Sequence, residues 1–448
     1  MTCSMTDSGA PTEALDRQVE SAWSFWRRIG APRRVLAPLV AQSELAFRML
    51  ARQHGAQGCW TPMLHADLLT AADGAYLAAN FDPHPADRPL VVQLCGNDAA
   101  TLIAAARLVQ GRCDAIELNC GCPQGIAQRG LYGAFLLDDP ASLAATVREL
   151  ASALSVPLLV KLRMYPLGGN VSSHGRRGER GRGARDQVVG VSAAAPPVAV
   201  ALETETEESG YAATVALALR LQCAGCSALT VHGRSREQKS SSSADWGAIA
   251  AVKAALRIPV IANGGVETTE ELEACLSFTG ADAVMCGEGA LENVGIFNGT
   301  PTSRGAQYAL AAEYAALAQE HKPPAEFAKA HMVKMLHMAL NDDTHEPQAR
   351  AQIKSSLEAA SSLDAVLEAA DRLCEWEAAA ERAAESAVGR TRTSTFRQRC
   401  DRTDAAFVSW CARLYLRCAP GVHTVDMPFQ HTRAGIDAIE PMAQRAAH

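Results

Sequence analysis

The sequence predicts an α/β protein, a (β/α)8 TIM barrel followed by a C-terminal helical domain, and three observations carry that prediction. Eight short runs rich in apolar and β-branched residues recur between positions 35 and 289. A helix-like stretch follows each run, the pattern of parallel strands buried on both faces and joined by βα crossovers. The runs also end on polar residues: Gln93, Asn119, Cys122, Lys161, Arg163, His232, Arg234 and Asn263. In a barrel the carboxyl ends of the strands are where a site forms.

Residues 1–22 hold Asp7, Glu13, Asp16 and Glu20 among short apolar stretches, which fits neither a transit peptide nor a signal sequence and reads as a flexible N-terminal tail. The barrel is expected over 23–299, with strands at 35–40, 58–64, 90–96, 115–122, 158–164, 228–234, 259–265 and 283–289. One interval is too long for a loop. Residues 167–208 open rich in Gly, Ser and Arg and close on Glu203, Glu205, Glu207 and Glu208. That composition buries too little apolar surface to offset its ordering entropy, so a disordered insertion is expected. After residue 299 the strand signal stops. Ala328, Met332, Met335, Leu336 and Ala339, then Leu363, Val366, Leu367 and Ala370, follow helical spacing, and Ser361 with Asp364 resembles a capping box. A helical domain is expected over 300–388 and a basic extension over 389–448.

A formal net charge of −7, from 42 Lys and Arg against 49 Asp and Glu, excludes a uniformly basic nucleic-acid coat. Basic residues cluster locally, in Arg176, Arg177, Arg180, Arg182 and Arg185, in Lys322, Lys329, Lys334 and His331, and from Arg390 to Arg417. A salt-sensitive affinity for a polyanion is therefore expected of the helical domain and the extension. Fourteen cysteines spread along the chain point to a reducing compartment, hence a cytoplasmic protein, with a nuclear pool left open. The most apolar run, 188–202, is broken by Gly190, Ser192, Pro196 and Pro197, so no membrane span is expected. Cys223 and Cys226 lack the second pair a zinc site needs, and no metal site is expected. Partner subunits and oligomeric state are not readable from the sequence, and a monomer is the expectation.

The fourth strand ends in Asn119-Cys120-Gly121-Cys122-Pro123. Cys122 falls on the loop side of the strand end, where it reads as a nucleophile, an acid or a buried thiol. Lys161 and Arg163 read equally as mouth salt-bridge partners, and His232 as a core histidine. Gln93 is polar within an apolar strand, which marks it for function.

Seven segments together resemble the tRNA-dihydrouridine synthase family, in the family's order and one per strand. They are Val35-Leu36-Ala37-Pro38-Leu39-Val40 with Gln42-Ser43-Glu44, Thr61-Pro62-Met63, Val92-Gln93-Leu94, Asn119 to Gln124, Val160-Lys161-Leu162-Arg163, Thr230-Val231-His232-Gly233-Arg234, and Ala262-Asn263-Gly264-Gly265. Phe25-Trp26-Arg27, Glu237-Gln238-Lys239 and Glu288-Gly289 resemble the eukaryotic branch acting on D-loop uridines 16 and 17.

The resemblance implies a flavin-dependent reduction of the uracil C5–C6 bond in tRNA, with FMN re-reduced by NADPH or NADH. It implies cofactor contacts from Ala37, Pro38, Leu39, Gln93, Lys161, His232, Asn263, Gly264, Gly265, Gly287 and Glu288. Cys122 matches the proton donor to C5, and Asn119 and Arg163 match contacts to the uracil carbonyls. Glu288 departs from the family, which often has Arg there to meet the FMN phosphate. Two alternatives stand beside this reading: an FMN-dependent reductase of a free pyrimidine, and a tRNA-binding protein without catalysis.

Overall fold

The structure, a computed structural model, describes residues 9–166, 211–239, 241–340 and 347–388. Its strands are β1 (Arg34–Leu36), β2 (Gly58–Trp60), β3 (Leu64–His65), β4 (Leu90–Cys95), β5 (Ala115–Cys120), β6 (Leu158–Arg163), β7 (Ala228–His232), β8 (Val260–Asn263) and β9 (Ala283–Cys286). Eight of them close a parallel barrel. β1 pairs with β2 and with β9, β2 pairs with β4, and β4 to β9 pair in succession. β3 adds two residues beside the end of β4. These eight are the eight runs read from the sequence, and their closure leaves no sheet edge unpaired.

Side chains of a strand alternate between its faces, so each inward-facing set follows period two. Along the strands these sets change from apolar at the amino end to polar at the carboxyl end. Val91 gives way to Gln93, Ala115 to Glu117 and Asn119, Leu159 to Lys161 and Arg163, Ala228 to Thr230 and His232, and Ile261 to Asn263. The apolar floor is filled by the helix Gly9–Arg28, whose Phe25 and Trp26 join one buried cluster with Ala115, Ala228 and Ala283. Alanines at three strand starts leave the room that two aromatic rings occupy. The helix corrects the flexible tail expected over 1–22, because the chain is helical from Gly9. Leu15, Val19, Ala22, Trp23 and Trp26 recur at helical spacing and give it a face to bury.

The outer helices start on side-chain caps. Asp98, Asp139 and Asp245 accept from backbone N–H groups of the helices Ala99–Val109, Pro140–Ala153 and Trp246–Ala255, and Thr268 with Glu271 forms a full capping box on Thr269–Thr279. Each such cap contributes about 1 kcal/mol.

Beyond the barrel lie Arg304–His321, Ala325–Met335, His337–Leu340, Pro347–Ala359 and Leu363–Val388, the helical region expected over 300–388. Its last helix is capped by Ser362, whose Oγ accepts from Ala365 N at 3.3 Å, and not by Ser361. The insertion expected over 167–208 and the extension over 389–448 lie outside the described residues. Among the described residues no helix is long and apolar enough to cross a membrane.

Candidate active site

The carboxyl end of the barrel gathers most of the residues singled out from sequence. Strand register sets them at matching heights: Gln93 beside Glu117, Asn119 beside Lys161, Arg163 beside His232, and His232 beside Asn263. On the β1 side, Ala37 N donates to Cys286 O at 2.8 Å, and Leu39 N donates to Ser43 Oγ at 3.0 Å. Gly287 lies against the Ala37 and Leu39 side chains. Asn263 Nδ2 donates to Met285 O at 2.8 Å, which ties the ends of β8 and β9 together.

Cys122 is half-buried on the loop after β5, beside Cys95, Ala127 and Tyr132. Its backbone is held from two sides. Asn119 Oδ1 accepts from Gly121 N and Cys122 N, each at 3.0 Å, and Cys122 O accepts from Ala134 N at 3.0 Å. Gly133, at φ +64°, lets the chain lie on this turn, since a Cβ there would sit 2.7 Å from Cys122 O.

Asn119 and Arg163 are the residues expected to meet a substrate, and both are engaged with the Cys122 loop. Arg163 Nε donates to Gly121 O at 3.0 Å, and its Nη1 donates to Ser235 O at 2.8 Å and Gln238 O at 3.3 Å. After these bonds, and among the described residues, the hydrogens on Arg163 Nη2 and one N–H of Asn119 Nδ2 are left to face a ligand.

Lys161, Arg163 and Arg234 make this end of the barrel electropositive. Desolvation followed by the charges of Lys161, Arg163 and Arg234 pushes His232 down to about 2. It is therefore a neutral imidazole, and the guanidinium of Arg234 lies 3.1 Å from its Nε2. The acceptor nitrogen is then Nε2, and Nδ1 carries the hydrogen. Gly264, at φ +103°, lies flat against this ring, where a Cβ would come within 2.6 Å of His232 Cδ2.

A pH dependence of stability follows. The unfolded chain binds a proton at His232 below its ordinary value of 6.5, whereas the folded chain does not. Stability present above pH 6.5 is therefore lost as the pH falls, by about 1.4 kcal/mol per unit. Urea unfolding of His232→Asn should show an acid limb between pH 6.5 and 5 that is shallower than wild type by about 2 kcal/mol in total. Parallel limbs would mean that His232 is protonated in the fold.

Glu117 is the residue the sequence reading missed. It is fully buried on β5, one inward step below Asn119, and desolvation raises it to about 6 against the pull of Lys161 and the hydrogen bonds of Gln93 and Thr230. Its signal was an acid in the middle of an apolar strand at period two from Asn119. Lys161, partly exposed, is lowered by desolvation to about 8, with Glu117 opposing.

The rim continues into the helical region. His331 is fully buried, stacks on Phe47 with ring centroids 4.3 Å apart, and pairs through Nε2 with Glu44 Oε2 at 2.9 Å. Tyr314 donates to Glu44 Oε1 at 2.9 Å. This corrects the placement of His331 among surface cations of that region, since its partner lies 287 residues away in sequence. Lys329 is half-buried and donates to Glu358 O at 2.8 Å. Between barrel mouth and helices runs a cleft of about 360 Å³, lined among others by Ala41, Pro62, Met63, Asn80, Lys322 and Phe327.

Similarity to known proteins follows the same residues. A family model described as Dihydrouridine synthase (Dus) matches residues 35–166 and 187–387. The Mus musculus protein named tRNA-dihydrouridine(16/17) synthase NAD(P)(+)-like is 38% identical over 349 residues, covering 77% of this chain and 62% of its own length. The Saccharomyces cerevisiae tRNA-dihydrouridine(16/17) synthase NAD(P)(+) is 38% identical over 278 residues, 60% of this chain and 55% of its own. A Homo sapiens protein named for positions 20a/20b is 30% identical over 270 residues, 59% of this chain and 71% of its own. The chain thus spans about three fifths of the mouse relative's length. A FabK mutant from Thermotoga maritima superposes with a TM-score of 0.32 at 13% identity, covering 59% of this chain and 63% of its own, too loosely to bear on the fold.

Proposed function

The chain belongs to the dihydrouridine synthase family, and from that premise we propose that it reduces the C5–C6 bond of a uridine in the D-loop of tRNA, at position 16 or 17, with FMN and NADPH or NADH. One observation carries the reading: a neutral His232, the Gln93 amide, Lys161 and Asn263 ring the barrel mouth, with a half-buried cysteine on the adjoining loop. The residues fit a flavin. The neutral His232 ring packed on Gly264 and the cationic rim of Lys161, Arg163 and Arg234 suit a flat polar ring with an anionic tail.

Ala37, Pro38 and Leu39 would run along the ring edge, with Gln93 and Lys161 at its polar side and His232 against it. Asn263, Gly264, Gly265 and Gly287 would form the turns for the ribityl phosphate, the usual barrel position for such a group. Glu288 is the exception. It opposes the lowering of Arg163, which desolvation and Arg234 produce, so its charge acts on that guanidinium. Bound and reduced, the flavin supplies a hydride for C6. Cys122 holds on its thiol the proton for C5, as a general acid must. Asn119 and Arg163 orient the uracil carbonyls through their remaining N–H groups, and the target base leaves its stack to reach them.

The test is mass mapping after incubating the purified protein with NADPH or NADH and an unmodified tRNA transcript. Dihydrouridine at 16 or 17 is expected, together with a flavin absorbance band from the protein. Reduction of free uracil with none in tRNA would overturn the substrate, and a colourless protein that binds tRNA would overturn the chemistry.

A further inference from the structure

Beneath the candidate flavin contacts, the amide orientations are fixed by a chain of hydrogen bonds that starts from unambiguous donors. Gly121 N and Cys122 N can only donate, so the atom of Asn119 that meets them is its oxygen. Asn119 Nδ2 must then face Gln93, and it donates to Gln93 Oε1 at 2.8 Å. That leaves Gln93 Nε2 to donate to Glu117 Oε1 at 2.7 Å. Thr230 Oγ1 donates to Glu117 Oε2 at 3.1 Å from the opposite side. A flipped Gln93 would set oxygen against carboxylate and nitrogen against nitrogen, two buried mismatches in place of two hydrogen bonds.

We propose that Glu117 is a positioning residue for the cofactor site: its carboxylate ends the chain of oriented bonds that runs from the Cys122 loop, fixes the Gln93 amide, and is the buried counter-charge that keeps Lys161 an ammonium. The proposal rests on the flavin reading above. It joins, through one side chain, the loop bearing the proton donor and two of the cofactor contacts. Lys161 is lowered by desolvation and by Arg163 on its own strand, with the neutral His232 ring near it on β7, and Glu117, ahead of Cys122 on the β5 loop, is the first of the two acids that oppose this lowering. The inward period-two step from Asn119 places that acid where no outer helix or solvent could supply a substitute.

Glu117→Gln tests this with little change of shape. Its side-chain oxygen can still accept from Gln93, and its amide can donate to the Thr230 hydroxyl, so the charge is what disappears. FMN affinity, followed by quenching of flavin fluorescence across neutral to alkaline pH, is the readout. In wild type the affinity should weaken as Lys161 loses its proton. In Glu117→Gln it should be about tenfold weaker near neutral pH, and the alkaline fall should move down by about one pH unit or more. Glu117→Asp should restore the position of that fall. Thr230→Val, which removes only one donor to the carboxylate, should move it the same way by less, and serves if the Gln variant does not fold.

A merely structural role would lower the melting temperature and leave the alkaline fall in place. A folded Glu117→Gln protein with wild-type affinity and an unmoved fall would overturn the proposal and leave the functional reading intact. Wild-type protein that binds no FMN would overturn both.

Discussion

Cys122→Ala is expected to leave a folded, flavin-loaded protein whose formation of dihydrouridine falls by about 100-fold or more. The bonds that hold Cys122 in place are made to its backbone, by the Asn119 oxygen on Cys122 N and Ala134 N on Cys122 O, with Gly133 in close approach. Removing the sulfur therefore deletes the proton source and little else. Cys122→Ser should be impaired to a similar degree, because a hydroxyl releases its proton far less readily than a thiol. Flavin absorbance, reduction of the flavin by NADPH in a stopped-flow mixer, and dihydrouridine content by mass separate the steps. The first two should match wild type. Turnover within a few-fold of wild type would remove Cys122 from the chemistry.

Asp87→Ala should cost about 3–5 kcal/mol of folding stability, the largest single-residue effect expected outside the mouth. Asp87 is fully buried and accepts from Arg48 Nε and Arg52 Nε, each at 2.8 Å. Those arginines reach further. Arg48 Nη1 donates to Ser43 O at 2.7 Å, and Arg52 donates to Arg88 O and Pro89 O just ahead of β4. Without the carboxylate, Arg48 remains as a charge only 3% exposed, and the helix Leu45–Gln53 loses its register against the start of β4. Urea unfolding measures the loss. The double variant Arg48→Met with Asp87→Leu should recover part of it, since no unpaired charge at position 48 is left behind. If Asp87→Ala unfolded within about 1 kcal/mol of wild type, the pair would be relaxing into water that its burial excludes.

The barrel was legible because its signal is repeated: eight apolar runs with polar ends can be satisfied by one closed parallel sheet. The placement of Gln93, Lys161, His232 and Asn263 toward the carboxyl end of the barrel was legible for the same reason, each being a polar residue in the carboxyl half of an apolar strand. Glu117 was hidden by its neighbours, since a single acid inside Ala115-Ile116-Glu117-Leu118 looks like an interruption until the inward face is known. His331 was misplaced because its burial depends on Glu44, far away in sequence, and no local pattern carries that contact. The N-terminal helix was readable from the spacing of Leu15, Val19, Ala22, Trp23 and Trp26, but its acids drew the reading toward a tail. Asn119 and Arg163 show a different limit: residue type suggests ligand contacts, and only the folded loop around Cys122 shows how many of their hydrogen-bonding groups are already occupied.

Glu44 stands seven residues after Ala37 on one continuous turn that the Leu39 and Ser43 bonds stiffen. With its carboxylate clasped by Tyr314 and His331, that short span works as a taut strut between the helices and the floor of the cleft. The two jaws of the cleft cannot swing apart like a hinge without breaking the hydrogen bonds that Tyr314 and His331 make with Glu44, so the width of the opening is set by that clasp.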